Sequence, residues 1–268
     1  MFEAAYEKTT QEAILMNIGE TIQYDNRLKI TRVLNDIYLL DDADSGTGYV
    51  VIGQDKALVI DTCNGKQDFA AVVRSLTDLP TVVVNTHAHP DHVGGNRYFN
   101  KAYLSEAELN AYNKEDHSPC SAEMIHDGDI IDIGGKALRC IAFPGHTEGG
   151  ICLLDEADRV LFTGDSVLGR TVWMFMPNST PISVMKQSLL RLKPYTAHVD
   201  MLLTGHSRKP DNPQLIDSLI EACDVILTGA PKDRFGQAEI WGQSLKTCFY
   251  IGEDNAQATL VFNEKTAK

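Results

Sequence analysis

Thr86-His87-Ala88-His89-Pro90-Asp91-His92-Val93-Gly94-Gly95 packs three imidazoles and a carboxylate directly behind the apolar run Val82-Val83-Val84. Neutral imidazole together with carboxylate is the donor set of a borderline divalent ion such as Zn²⁺. A buried strand that ends in such a cluster presents its ligands at the rim of a sheet, where a metal can reach them. Extended backbone sends His87 and His89 to the same side, and the next turn swings Asp91 and His92 toward a neighbouring position. Crowding keeps one small ion from taking all four groups, so the spacing points to two adjacent ions. A purely compositional histidine-rich surface loop would not carry a carboxylate and glycines at set offsets.

Four further pieces extend the set: Val59-Ile60-Asp61-Thr62 upstream, and Pro144-Gly145-His146-Thr147, Thr163-Gly164-Asp165 and Thr204-Gly205-His206 downstream. Each follows a strand-like apolar run. The order H-x-H-x-D-H, G-H-T, G-D, G-H resembles the metallo-β-lactamase superfamily in its binuclear hydrolase branch, where glyoxalase II is the nearest named activity. The resemblance runs from about Asp36 to His206. It implies an α/β fold, an αβ/βα four-layer sandwich of two mixed β-sheets flanked by helices. It also implies that His87, His89 and His146 hold one metal, that Asp91, His92 and His206 hold a second, and that Asp165 bridges them. Two divalent ions per chain are expected, Zn²⁺ foremost, with Mn²⁺ or Fe²⁺ as alternatives. A water between two such ions loses its proton near neutral pH, its pKa falling from about 15.7 toward ~7. That bridging hydroxide would attack a thioester, ester or lactone, and the ions would hold the developing oxyanion. Asp91 is the candidate catalytic carboxylate as well as a ligand.

Two positions narrow the class. Zinc β-lactamases use Cys at the place of Asp165 or lack the carboxylate bridge, whereas glyoxalase II, lactonases and related esterases use Asp. Activity on a β-lactam remains an alternative, because attack on an amide carbonyl uses the same parts. Flavin-diiron reductases carry Glu where this chain has His89. A mononuclear iron enzyme similar to the persulfide dioxygenases is the other alternative; the presence of Asp91, His92 and His206 speaks for a filled second site.

Asp61 is read as accepting an N–H from a ligand histidine and so fixing its tautomer; capping a helix that opens near Asn64 is the competing role. Trp173, Met174 and Phe175, within Val172–Met176, are read as a loop that lines the substrate pocket, with core packing or a dimer contact as the alternatives. Arg170 and Arg208 are candidates for a substrate carboxylate. His117, His126 and His198 match no motif and are read as structural or surface residues.

The elements that must position these groups are strand-rich. Val33 to Leu40, Tyr49–Ile52, Ala57–Ile60 and Thr81–Asn85 read as strands, with a helix over Lys66–Leu76 making a β-α-β unit. A short helix at Asn96–Phe99 and a capping box at Ser105–Glu108 follow, then an irregular stretch over 113–127. Strands are expected near Ile130–Ile133, Ala137–Phe143, Ile151–Leu154 and Val160–Phe162. Helices run from Thr180 to about Leu192 and from Asp211 to before Gly229, and two final strands flank Gly252–Asn255.

Cutting the chain between Asp61 and His206 would split the ligand set, so one domain over 1–268 is expected, with 1–30 as an N-terminal arm and 207–268 completing the fold. The net charge of −13 disfavours nucleic acid and anionic membrane surfaces as partners. A small-molecule substrate is expected, with a homodimer as an option. The six cysteines show no C-x-x-C spacing, and neither a signal peptide nor a membrane span is read, so a cytoplasmic home is expected.

Overall fold

Ala57–Ile60 (β5) and Thr81–Val84 (β6) pair in parallel with Ile60 opposite Val84. Their chains therefore emerge at the same sheet edge, Asp61 from one and Asn85 from the other. The connection carries helix α1 (Phe69–Arg74), shorter than the expected Lys66–Leu76. Asp68 caps it by accepting from Ala71 N at 2.9 Å, while the Asn64 carboxamide is used in its own turn, accepting from Lys66 N. The protein was obtained as a computed structural model that describes residues 16–43, 45–114, 116–169, 171–251 and 257–268. Half of the expected N-terminal arm (residues 1–15) and the turn at 252–256 lie outside the described residues, as does Arg170.

The chain divides into two compact units. One is drawn from residues up to Leu104, Leu109–Ile125 and Ile131–Ala137. The other comprises Ser105–Glu108, His126–Ile130 and Leu138–Lys268. The first holds an eight-stranded sheet in simple sequence order, β1 (Thr21–Gln23), β2 (Leu28–Leu34), β3 (Ile37–Asp42), β4 (Thr47–Ile52), β5, β6, β7 (Lys101–Leu104) and β8 (Ser121–Met124). Pairing is antiparallel through β5 and parallel from β5 to β8. Its core gathers Leu28, Leu40, Val59, Phe69, Val72, Val83 and Leu104. Strand β8 lies in the stretch expected to be irregular. Its side chains are mostly exposed, so the apolar pattern that marks a half-buried strand is missing.

A five-stranded sheet has the order β14-β12-β11-β10-β9, built from β9 (Ile130–Asp132), β10 (Ala137–Ala142), β11 (Ile151–Asp155), β12 (Val160–Gly164) and β14 (Met201–Thr204). Strand β10 is antiparallel to β11, β11 is antiparallel to β12, and β12 is parallel to β14. Three strands thus run the same way, and the loops bearing His146, Asp165 and His206 all leave at their C-terminal ends. Helices α4 (Ile182–Leu192) and α5 (Leu215–Thr228) bury Ile182, Leu189, Ile216 and Leu219 in a core shared with Phe143, Leu161 and Leu202. Gly229 closes α5 in the left-handed conformation at φ 70°, as helix C-termini favour. A four-stranded sheet of order β13-β17-β16-β15 completes the second unit: β13 (Thr171–Met174), β15 (Phe235–Ile240), β16 (Gln243–Ile251) and β17 (Gln257–Phe262). The segment at 172–174 is therefore a strand and not the expected loop, paired in parallel with β17.

All six cysteines are free and buried. Burial raises the thiol pKa of Cys140 and Cys223 to about 12 and that of Cys248 to about 11. Folded thiols therefore stay neutral at a pH where unfolded ones ionise. The associated stability is complete below an unfolded pKa of about 8.5 and falls as pH climbs toward the folded values. Native protein at pH 8 is expected to resist a colorimetric thiol reagent that titrates all six cysteines in denaturant; rapid native labelling would contradict the burial.

Candidate functional site

The ligand candidates fall into one set in each unit. In the first, the parallel pairing of β5 and β6 sets Asp61 beside Thr86. Asp61 Oδ1 accepts from Thr86 N at 2.8 Å, and Oδ2 accepts from Thr86 Oγ1 at 2.7 Å and from His92 Nδ1 at 2.8 Å. Asp61 sits at φ 59°, a left-handed conformation in which a non-glycine residue is uncommon and which clusters at functional sites. Its carboxylate therefore meets a candidate ligand histidine, while the helix-capping role belongs to Asp68.

The proton inventory follows from these contacts. Thr86 Oγ1 spends its hydrogen on Asp61, so toward His87 Nδ1, 3.1 Å away, it can only accept. His87 thus carries its proton on Nδ1 and offers Nε2 as a lone pair. His92 donates from Nδ1 to Asp61 and likewise offers Nε2. His87 Nε2 faces His89 Nδ1 at 3.0 Å, and the rings of His87 and His92 lie 4.1 Å apart. His89 stands at the N-terminus of a single helical turn, α2 (Pro90–Val93), which turns Asp91 and His92 away from the strand direction. Asp91 Oδ2 then lies 3.8 Å from His92 Nε2. Glycine is needed just beyond. A Cβ on Gly94 would sit 2.3 Å from the Asn64 backbone, so this loop reaches the segment after β5 only without a side chain.

The second set repeats the logic. His146 lies in the β10–β11 loop and donates from Nδ1 to the Trp173 carbonyl at 2.6 Å, again leaving Nε2 as the acceptor. Asp165 Oδ2 lies 3.7 Å from that Nε2 and 3.1 Å from His206 Nε2. His146 and Asp165 are buried, and His206 is one-third exposed. In each unit a carboxylate oxygen faces an imidazole nitrogen that has already placed its proton elsewhere. Carboxylate oxygens and imidazole nitrogens gathered in this way make a donor set that could hold a cation. Side chains that could hold a metal ion are His87, His89, Asp91, His92, His146, Asp165 and His206. The donor set fits the divalent ion expected from the sequence.

Of the expected pocket residues, Met174 is fully buried in the larger core of its unit, so packing accounts for it. Phe175 is buried against Leu245 and Val261, and half-buried Trp173 packs beside it. Arg208 turns back to donate to the His206 carbonyl. His117 is buried and stacks on Tyr112 at 3.9 Å, whereas exposed His126 contacts Asp129 and His198 is exposed. Two contributors were missed in the sequence. Thr86 sets the tautomer of His87, and its place directly before H-x-H was a usable signal. The Trp173 carbonyl sets that of His146, and a backbone atom leaves no mark on residue type.

A family model described as the metallo-beta-lactamase superfamily matches residues 41–206. A hydroxyacylglutathione hydrolase from Gloeobacter violaceus is 30% identical over 195 residues, covering 69% of this chain and 73% of that one. A hydroxyacylglutathione hydrolase from Francisella tularensis is 28% identical over 157 residues; the match covers 56% of this chain and spans 61% of the relative's length. An acyl-coenzyme A thioesterase from Gallus gallus is 26% identical, with 59% and 71% covered. Among solved structures, a metallo-beta-lactamase from Erythrobacter litoralis superposes with a TM-score of 0.61 at 16% identity, over 76% of this chain and 99% of that one. The described architecture, mixed sheets with flanking helices, is the α/β fold expected. No helix among the described residues is long and apolar enough to cross a membrane.

Proposed function

Because the chain belongs to the metallo-β-lactamase superfamily, we propose that it is a binuclear metal-dependent hydrolase that cleaves an acyl bond of a small molecule, a thioester in preference to an ester or lactone. The observation that carries this reading is the tautomer pattern. His87, His92 and His146 each place their proton on Nδ1 against a fixed acceptor and keep Nε2 as a lone pair, the arrangement metal-ligating histidines adopt. Preference for a thioester is supported by relatives named hydroxyacylglutathione hydrolase and acyl-coenzyme A thioesterase.

In this reading His87, His89 and His146 hold one ion, Asp91, His92 and His206 hold the other, and Asp165 serves both. All seven residues work as one set, so the functional domain is the whole of 1–268. Bound divalent ions would bring the pKa of a coordinated water toward ~7 and polarise the substrate carbonyl. Asp61, Thr86 and the Trp173 carbonyl hold the rings in place. Asp165, its side chain 10% exposed, offsets cation charge, while Asp91 at 36% is open enough to take up the proton released on attack. Zn²⁺ suits this mixture of imidazole and carboxylate, with Mn²⁺ or Fe²⁺ as alternatives.

The test is a panel of thioesters, lactones, aryl esters, phosphodiesters and β-lactams, run on protein whose metal content is measured. Two metal ions per chain and fastest turnover of a thioester are expected. One iron per chain without hydrolysis would instead favour an oxidoreductase.

A further inference from the structure

Both tryptophans of the chain, Trp173 and Trp241, meet edge to face with ring centroids 5.0 Å apart. Phe175 joins them, 5.3 Å from Trp173 and 6.1 Å from Trp241. The position of Trp241 is unusual in two respects. It stands in the two-residue turn between β15 and β16, at φ 51° with Gly242 at 72°. Such a turn favours Asn or Asp followed by Gly, and a bulky residue at positive φ is strained. Its side chain is also 68% exposed, so the strain is not offset by burial. A strained, exposed indole on a loop is better explained by a ligand than by packing.

Beside these rings lies a cavity of about 570 Å³, lined by Phe175, Met176, Ser179, Trp241, Asn263 and Lys265 among others. That is within the range of small-molecule sites, about 300–1,000 Å³. Among the described residues, none of those lining it is acidic and Lys265 is the one cation, in a chain of net charge −13. Two contacts tie the cavity to a candidate ligand. Ser179 Oγ donates to the His146 carbonyl at 2.8 Å, and His146 Nδ1 donates to the carbonyl of Trp173, two residues before Phe175.

We propose that Trp241, Phe175 and Lys265 form a recognition subsite for a flat aromatic group that carries negative charge, feeding the His146 side of the hydrolytic centre. The inference rests on the hydrolase reading and names its substrate class. Indole and phenyl faces take the ring, the Lys265 ammonium takes the anion, and the absence of carboxylates spares that anion repulsion. Two sources share this chemistry: an aryl acyl group with its own carboxylate, or the nucleotide end of a carrier thioester.

Intrinsic fluorescence reads the site directly, since Trp241 lines it and Trp173, the other tryptophan, packs against Trp241. Full-length metal-loaded protein is titrated with 2-naphthoate and with adenosine 3′,5′-bisphosphate, alongside neutral 2-naphthalenemethanol and adenosine. Saturable quenching by at least one anionic probe is expected, and the probe that binds identifies the source. Trp241→Asn keeps a residue the turn favours and removes the ring. It is expected to weaken that probe about tenfold, the worth of one aromatic contact, without lowering the melting temperature. Lys265→Gln should erase the preference for the anion over its neutral counterpart. Absence of saturable quenching by any probe overturns the proposal, as does unchanged affinity in Trp241→Asn. A Trp241→Asn chain that changes mass in solution while binding normally also overturns it, and makes the indole a contact between copies. Quenching needs no turnover. A chain that binds a probe but hydrolyses nothing refutes the reaction, and one that hydrolyses a thioester without quenching refutes the subsite alone.

Discussion

Asp165→Ala, and separately His146→Ala, is expected to lower hydrolysis about a thousandfold or more, on the order of 4 kcal/mol of transition-state stabilisation, while the chain still folds. Asp165 Oδ2 lies against both His146 Nε2 and His206 Nε2 in a buried setting. With a cation between them these groups attract it together; without one, Asp165 Oδ2 still accepts from His206 Nε2 at 3.1 Å. The metal-loaded Asp165→Ala chain is expected to melt clearly below the metal-loaded parent, and the gap should narrow when both are stripped of metal, because metal stabilises only the chain that binds it. Turnover, metal per chain and thermal melts with and without chelator check this. Turnover near the parent level in a variant shown to have lost metal would remove Asp165 and His146 from the ligand set.

Asp61→Asn is expected to cost about 10–100-fold in metal affinity or rate, the usual penalty for losing the partner of a ligand histidine. The substitution is clean in two ways. Asn matches the size of Asp, and it is among the few residues that tolerate the left-handed backbone seen at φ 59°. What changes is the acceptor. Oδ1 accepts from Thr86 N while Oδ2 takes hydrogens from both Thr86 Oγ1 and His92 Nδ1, and a carboxamide has an acceptor oxygen at only one of these positions. Turned one way, the amide nitrogen faces Thr86 N–H; turned the other, it faces His92 Nδ1, which then loses its acceptor and can move its proton to Nε2, the nitrogen meant for the ion. Isothermal titration with Zn²⁺ after chelation measures the effect. Parent-like affinity with parent-like turnover would reduce Asp61 to a purely structural group.

The two residues behind these predictions differ in how they could be found. Asp61 was legible: an Asp at the end of one apolar run, with the histidine cluster at the end of the next, becomes a neighbouring pair as soon as a β-α-β unit is assumed. His146 was legible by type and motif, but its partner was not, because the contact is to a main-chain carbonyl 27 residues on. The strand that carries that carbonyl was read as a loop, since Val172–Met176 is apolar throughout and shows no alternation. Its pairing comes from β17, near the far end of the chain, and no local pattern announces it. Strands β8 and β15 were missed for the opposite reason, since neither has a fully buried side chain to mark an inward face. The aromatic subsite escaped the sequence because Trp241 lies 68 positions from Trp173.

Strand β17 lies inside its sheet, between β13 and β16. The residues just after it are engaged too, with the carbonyls of Thr266 and Lys268 accepting from Ile182 N and Ser183 N at the start of α4. Residues 257–268 contain none of the candidate metal ligands, yet they hold the strand whose Trp173 carbonyl sets the proton on His146. A frameshift or a protease cut after residue 256 would leave every histidine and aspartate of the set in the chain. It would still disarm the protein, by taking away the edge along which β13 is hung.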